Sequence, residues 1–204
     1  QLTIEHIDHS VGRILKKLDE LGIADNTVVL YTSDNGPWLS KKHHAGSALP
    51  LRAGKATTYE GGMRVPCVMR WPVGIKPGQT CRQVAATIDV LPLFANLAGI
   101  QLDESRPIDG RDISGLLANP KSDSPHAEEG YYFYRNNKLE AVRIGDWKLF
   151  LRKNPELYHL RDDISESKNL ADTNPNVVAQ LQETAKNYHE RLMKEKRPAW
   201  TAGK

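Results

Sequence analysis

The chain has 204 residues, long enough for one large domain or two small ones, and its 39% hydrophobic and 26% charged residues are the balance of an ordinary globular protein. A formal charge of +3, with no Lys/Arg tract longer than a pair, excludes the basic stripe of a nucleic-acid binder. No apolar run approaches the ~18 residues of a membrane helix, so no span is expected.

Gln1 is not an initiator methionine and no signal peptide follows it, so the chain reads as a fragment or a processed product. Ile4, Ile7, Val11, Ile14, Leu18 and Leu21 recur at alternating steps of three and four residues, which predicts an amphipathic helix over residues 3–22. Gly22 closes it. Residues 27–32 are β-branched and apolar throughout and predict a strand buried on both faces, as in a parallel sheet. Residues 34–64 have no apolar period and read as a long structureless loop, of the kind that is functional or disordered. Residues 65–71 predict a second strand, with Pro66 at its edge. Asp89 reads as the cap of a short helix over residues 90–98, with Pro92 in its first turn and Gly99 beyond its end. Residues 100–128 read as a surface connection.

After residue 129 the pattern changes. Residues 131–134, 139–144, 147–151 and 157–160 are short strand-like runs. Asn136-Asn137, Gly145-Asp146 and Asn154-Pro155 separate them, which predicts an antiparallel meander. Asn174-Pro175 opens a last helix that buries Val177, Val178, Leu181, Ala185, Tyr188 and Leu192 and covers one face of that sheet. The expected division is residues 1–120, part of an α/β domain, and residues 121–204, a small sheet-and-helix subdomain. Cys67 and Cys81 lie outside any CxxC or Cys/His cluster, which argues against zinc. They read as buried or half-buried free thiols, with a single bridge as the other reading.

The residues with chemical promise follow the first strand. Ligands of open α/β sheets bind beyond the carboxyl ends of strands, and Ser33-Asp34-Asn35-Gly36 stands there. Asp34 and Asn35 offer hard oxygen donors suited to Ca²⁺ or Mg²⁺. The same residues also spell a common turn. Lys55, after Gly54, is a compact cation suited to a tetrahedral oxyanion, although a lone loop lysine is also an ordinary solvated one. His43 and His44 read either as substrate contacts at a pocket rim or as exposed loop residues, and Trp38 as a stacking platform or a loop anchor. Glu60 and Arg64 read as a structural pair, and residues 131–134 as sheet packing.

In combination these segments resemble the sulfatase family of the alkaline-phosphatase superfamily. Thr32-Ser-Asp-Asn-Gly36, Pro50-Leu-Arg-Ala-Gly-Lys55 and Glu60-Gly-Gly-Met-Arg-Val-Pro66 carry the resemblance in the family's order. Ile88–Pro92, Asp109–Asp112, Ala141–Leu149, Glu156–Leu160 and Asn169-Leu170 continue it across nearly the whole chain. The resemblance implies a fold: the later part of an alkaline-phosphatase-like, mixed or parallel α/β sheet domain, plus a small antiparallel subdomain packed by a C-terminal helix. It implies that Asp34 and Asn35 are two ligands of a calcium ion and that Lys55 contacts the sulfate ester. The family's nucleophile is a formylglycine hydrate made from Cys or Ser in a C/S-x-P-x-R motif. It attacks sulfur in line, while the cation and lysine offset charge on the transferring group.

No Cys or Ser here has Pro at the second position after it and Arg at the fourth. The family's early Asp-Asp ligands, activating Arg and upstream Lys and His also lack a match and would precede Gln1. The isolated chain is therefore expected to be inactive, a non-catalytic module that associates with its missing N-terminal half or with itself. A phosphonate or phosphodiester hydrolase on the same scaffold is the alternative. The expected substrate is a sulfated small molecule or glycan, and the resemblance implies a periplasmic, secreted or lysosomal protein. Ala53 stands where the family often has glycine.

Overall fold

Helix α1 (Leu2–Glu20) forms where the apolar spacing predicts it. The computed structural model describes residues 2–196. None of the α1 residues is buried, and Ile4 (72% exposed) and Ile14 (57%) face outward, so the stripe has no cover among the described residues. The helix is tied down at its C-terminal end, where Arg70 Nη2 donates to Asp19 Oδ1 at 2.9 Å. None of the helices among the described residues is long and apolar enough to cross a membrane.

Strand β1 (Val29–Thr32) pairs antiparallel with β2 (Cys67–Arg70), Val29 opposite Arg70 and Thr32 opposite Cys67. The expectation of a strand buried on both faces is corrected for the described residues. Val29 and Leu30 are half-buried, while Tyr31 and Thr32 are exposed, because a two-stranded ribbon cannot cover both of its faces. Cys67 and Cys81 are free, as expected, but both are exposed rather than buried. Cys67 starts β2, whose first two residues face solvent.

The long loop is not structureless. A 3₁₀ segment occupies Leu39–His44, and a one-turn helix, α2 (Glu60–Met63), buries Glu60, Gly61 and Gly62. Helix α3 (Val90–Leu97) follows a 3₁₀ turn at Thr87–Asp89. Asp89 sits at its N-cap but makes no side-chain cap bond. Its buried carboxylate instead accepts the amides of Ala86 (2.7 Å) and Arg111 (2.8 Å) and faces His126 Nε2 at 2.9 Å. The predicted surface connection holds α4 (Ser114–Ala118) and α5 (His126–Glu129), with Leu116 and His126 buried. Ile113 and Leu116 pack with Leu93 in a small core of their own.

Strands β3 (Tyr131–Arg135), β4 (Lys138–Ile144), β5 (Trp147–Phe150) and β6 (Glu156–His159) form the predicted meander in simple sequential order. Side chains alternate across it. Val142 and Leu149 face each other in the register, and with Leu157 they meet Val178, Leu181 and Ala185 of α6 (Pro175–Glu195). The next pair, Ala141 and Phe150, points to the other face, with Phe133 and Tyr158. Tyr59 and Met63 pack against that second face. The meander is thus a middle layer, with α6 on one side and the loop that carries Lys55 on the other. Each fully buried leucine in it contributes about 1.5–3 kcal/mol.

Candidate functional site

Asp34 and Asn35 leave the end of β1 and are positioned by the residue after them. Gly36 is buried, and its amide donates to the carbonyl of Gly62 at 3.1 Å. A Cβ at Gly36 would come within 1.9 Å of the Gly61 oxygen, so only glycine permits this approach. One residue on, the carbonyl of Pro37 accepts the amide of Lys55 at 2.9 Å. The segment from Arg52 to Gly61 is closed on itself, with Gly61 N donating to Arg52 O at 2.8 Å. These bonds bring the Asp34-Asn35 and Lys55 segments together, although Lys55 lies 20 positions after Asn35 in the sequence.

Lys55 is exposed, and its ammonium lies 5.3 Å from the centre of the Trp38 ring. The Lys41 ammonium lies 4.4 Å from the same ring. Trp38 is therefore joined to Lys55 by cation–π contact. The sequence did not single out Lys41; its position three residues after Trp38 in a tight turn was the available signal. His43 and His44 are exposed on the 3₁₀ segment and make no hydrogen bond or ion pair with Asp34, Asn35 or Lys55 among the described residues. Ala53 and Ala56 flank Gly54-Lys55 at φ +61° and +68°, a region that L-residues seldom adopt. This explains why glycine suits position 53.

Asp34 is exposed, and among the described residues its carboxylate receives one long contact, from Ser33 Oγ at 3.5 Å. Asn35 is half-buried beside it. Two adjacent hard oxygens with lone pairs free fit part of a calcium shell, which takes about 6–8 oxygens. Among the described residues, no group of three or more His, Cys, Asp or Glu could hold a metal.

Beneath the site lies a buried ionic cluster that the sequence did not reveal. Lys148 on β5 donates to Thr58 O at 2.7 Å and Glu60 Oε1 at 2.8 Å, and pairs with Glu166 Oε1 at 2.9 Å. Glu60 does pair with Arg64, at 3.6 Å, but Lys148 is the nearer partner. Burial pushes the Glu166 carboxyl above its ordinary range, against the pull of Lys148. Alongside, Arg52 Nη1 donates to the Tyr158 hydroxyl at 3.0 Å, and Tyr158 donates to Glu156 Oε2 at 2.7 Å. Burial, and then that bond to Glu156, push the Tyr158 phenol up to about 12.

Comparison with known proteins gives two family matches. The model described as Sulfatase matches residues 2–100, and the one described as N-sulphoglucosamine sulphohydrolase, C-terminal, matches residues 53–197, more than half of the chain. The chain belongs to the sulfatase family. It is 40% identical to steryl-sulfatase of Mus musculus over 157 residues, 72% of this chain and 25% of that protein. It is 41% identical to N-acetylgalactosamine-6-sulfatase of Mus musculus over 150 residues, 72% of this chain and 28% of that protein. A crystal structure of Ps i-CgsB in complex with k-i-k-neocarrahexaose matches with TM-score 0.82 and 29% identity, over 95% of this chain and 42% of that chain. The sulfatase chain thus spans between a quarter and a half of the length of these relatives. It shares their alkaline-phosphatase-like fold, in its C-terminal part, with two small antiparallel sheets and a closing helix.

Proposed function

We propose that the protein carrying this chain hydrolyses sulfate esters, with Lys55 on the ester sulfate and Asp34 and Asn35 as two oxygen ligands of a calcium ion. The observation that carries this reading is the pair of backbone bonds, Gly36 N to Gly62 O and Lys55 N to Pro37 O, which joins the two oxygen donors to the lysine. A lysine, a carboxylate and an amide oxygen held in place by main-chain bonds are preorganised for charge that develops on a transferring group. When bound, calcium would supply Lewis-acid stabilisation of the sulfate oxygens. Lys55 would add a second positive charge, steadied by Trp38. The nucleophile, a formylglycine, would come from outside these residues.

The substrate class is a sulfated glycan or a sulfated small molecule, and His43 and His44 would reach it only as contacts at the rim. Residues 1–120 would be the catalytic-domain part and residues 121–204 the small subdomain. The uncovered stripe of α1 suits the remaining, N-terminal half of the enzyme as its cover, or a second copy when that half is missing. By itself the chain would be inactive. The family points to a periplasmic, secreted or lysosomal compartment.

The test is a matched pair of aryl sulfate and aryl phosphate given to the full-length protein, to its Lys55→Ala and Asp34→Ala variants, and to this chain alone. Turnover of the sulfate that each substitution lowers by about 100-fold or more, to a rate still measurable above buffer, with calcium lost from Asp34→Ala, supports the reading. Preferential phosphate turnover replaces it with the phosphoester alternative, and calcium retained at full activity in Asp34→Ala removes the metal assignment.

A further inference from the structure

We propose that Lys148 is a positioning residue for Lys55, so that the C-terminal sheet sets the geometry of the sulfate-binding loop; this rests on the sulfatase reading above. The Lys148 side chain is fully buried, and a buried ammonium persists only where its donors are satisfied and its charge is matched. The ammonium donates to Thr58 O and Glu60 Oε1, and the Glu166 carboxylate, with Oε1 at 2.9 Å, matches its charge. Thr58 and Glu60 belong to the loop that carries Lys55.

Glu166 grips the same loop at both ends. Its Oε2 accepts the amide of Glu60 at 2.7 Å, and its backbone carbonyl accepts Arg52 Nη1 at 2.8 Å. From β3, Arg135 Nη1 reaches the carbonyl of Ala56 at 3.2 Å. Residues 52, 56, 58 and 60 are therefore all held by groups from residues 135–166. Between them Lys55 is exposed, flanked by two alanines at positive φ. Backbone of that kind keeps its shape only when its surroundings over-determine it.

Stability alone does not call for ions here. Apolar side chains of similar volume often stabilise a core as well as a buried ion cluster does. They cannot bind the carbonyl of Thr58 or orient the amide of Glu60. Charge supports the same conclusion. Two carboxylates surround one ammonium, and Arg64 and Arg143 stand 3.6 and 3.9 Å from Glu60 Oε2 to offset the excess. The cluster is built to fix the direction of backbone groups.

The experiment uses the full-length enzyme with Lys148→Met, and with a charge-neutral triple variant, Glu60→Gln, Lys148→Met and Glu166→Gln, which spares the fold an unpaired buried carboxylate. Each is made with and without Lys55→Ala. In the folded variants kcat should fall about 100-fold, the scale of a small misplacement of a reacting group. Within the Lys55→Ala background the same changes should cost less than about twofold, because sites that act through one another are not additive. Hydrogen exchange at the amides of Lys55 and Gly61 should speed up in both variants. Unchanged kcat and unchanged exchange overturn the proposal. So does a loss of kcat that adds fully to that of Lys55→Ala while those amides stay protected, the signature of a merely structural role. If the unsubstituted enzyme turns over no sulfate ester, the sulfatase reading fails, and the exchange measurement alone decides whether Lys148 holds the loop.

Discussion

A Cβ on Gly36 would stand 1.9 Å from the carbonyl oxygen of Gly61, so the turn after β1 and the segment before β2 meet through bare backbone. No side-chain adjustment can relieve that contact. Gly36→Ala should separate the Asp34-Asn35 turn from the Lys55 loop. The expected result is a loss of about 1–3 kcal/mol, as for overpacking elsewhere, and a fall in turnover of about 100-fold. Chemical denaturation and steady-state kinetics of the full-length protein check both; near-normal turnover would show that the two segments need not touch.

Trp38 carries the ammonium groups of Lys41 and Lys55 on one ring. Such contacts are worth about 0.5–2 kcal/mol. Trp38→Ala should therefore raise KM for a sulfate ester by about 2–30-fold, with kcat little changed. A fall in kcat at constant KM would assign Trp38 to the chemistry instead.

Asp163 shapes the turn that presents Glu166, itself at φ +51°. Its carboxylate accepts the amides of Ser167 and Lys168, both at 2.8 Å, and the hydroxyls of Ser165 and Ser167. Burial alone would raise this carboxyl, but these donors bring it below its ordinary value. A depressed carboxyl contributes stability that is complete above the unfolded value, about 3.9, and is lost as pH falls through the folded one. Asp163→Ala should cost about 1–3 kcal/mol at neutral pH. The gap to the unsubstituted protein should narrow at pH values well below that carboxyl range. Urea titrations at the two pH values decide, and a gap independent of pH contradicts the assignment.

Leu149 is fully buried between the meander and α6, in contact with the cluster of Val142, Val178, Leu181 and Ala185. Leu149→Ala should lower stability by about 2–5 kcal/mol. Thermal unfolding measures this, and a change below about 0.5 kcal/mol, as at ordinary surface sites, would mean that α6 does not cover this face.

Local pattern made much of the fold legible. The spacing of Ile4 to Leu21 encodes α1, the Asn-Asn and Gly-Asp turns encode the meander, and Asn174-Pro175 encodes the start of α6. Asn174 illustrates the limit. It occupies the N-cap, yet its side chain donates to Leu170 O and Thr173 Oγ1 rather than accepting from the helix. Asp89 departs in the same way, because its partners Arg111 and His126 come from distant turns. Residue type fixes where an element starts; which group the side chain then bonds depends on what folds against it.

The site divides along the same line. Asp34, Asn35 and Lys55 stood out as candidates because each stands in a short motif whose residue types suggest their chemistry. Lys148, Glu60 and Glu166 were not, since Lys148 looks like any strand lysine and its partners lie 88 positions before it and 18 after. Local pattern revealed α1, α3, the meander, α6, the family resemblance and the three candidate site residues, because those depend on neighbours within a few positions; the short helices α2, α4 and α5 carry no such pattern. Only the tertiary structure decided that the stripe of α1 is uncovered, that β1 has one antiparallel neighbour among the described residues, and that the C-terminal sheet grips the lysine loop. Those outcomes depend on contacts between segments far apart in the chain, where burial turns an ordinary lysine into an obligatory partner.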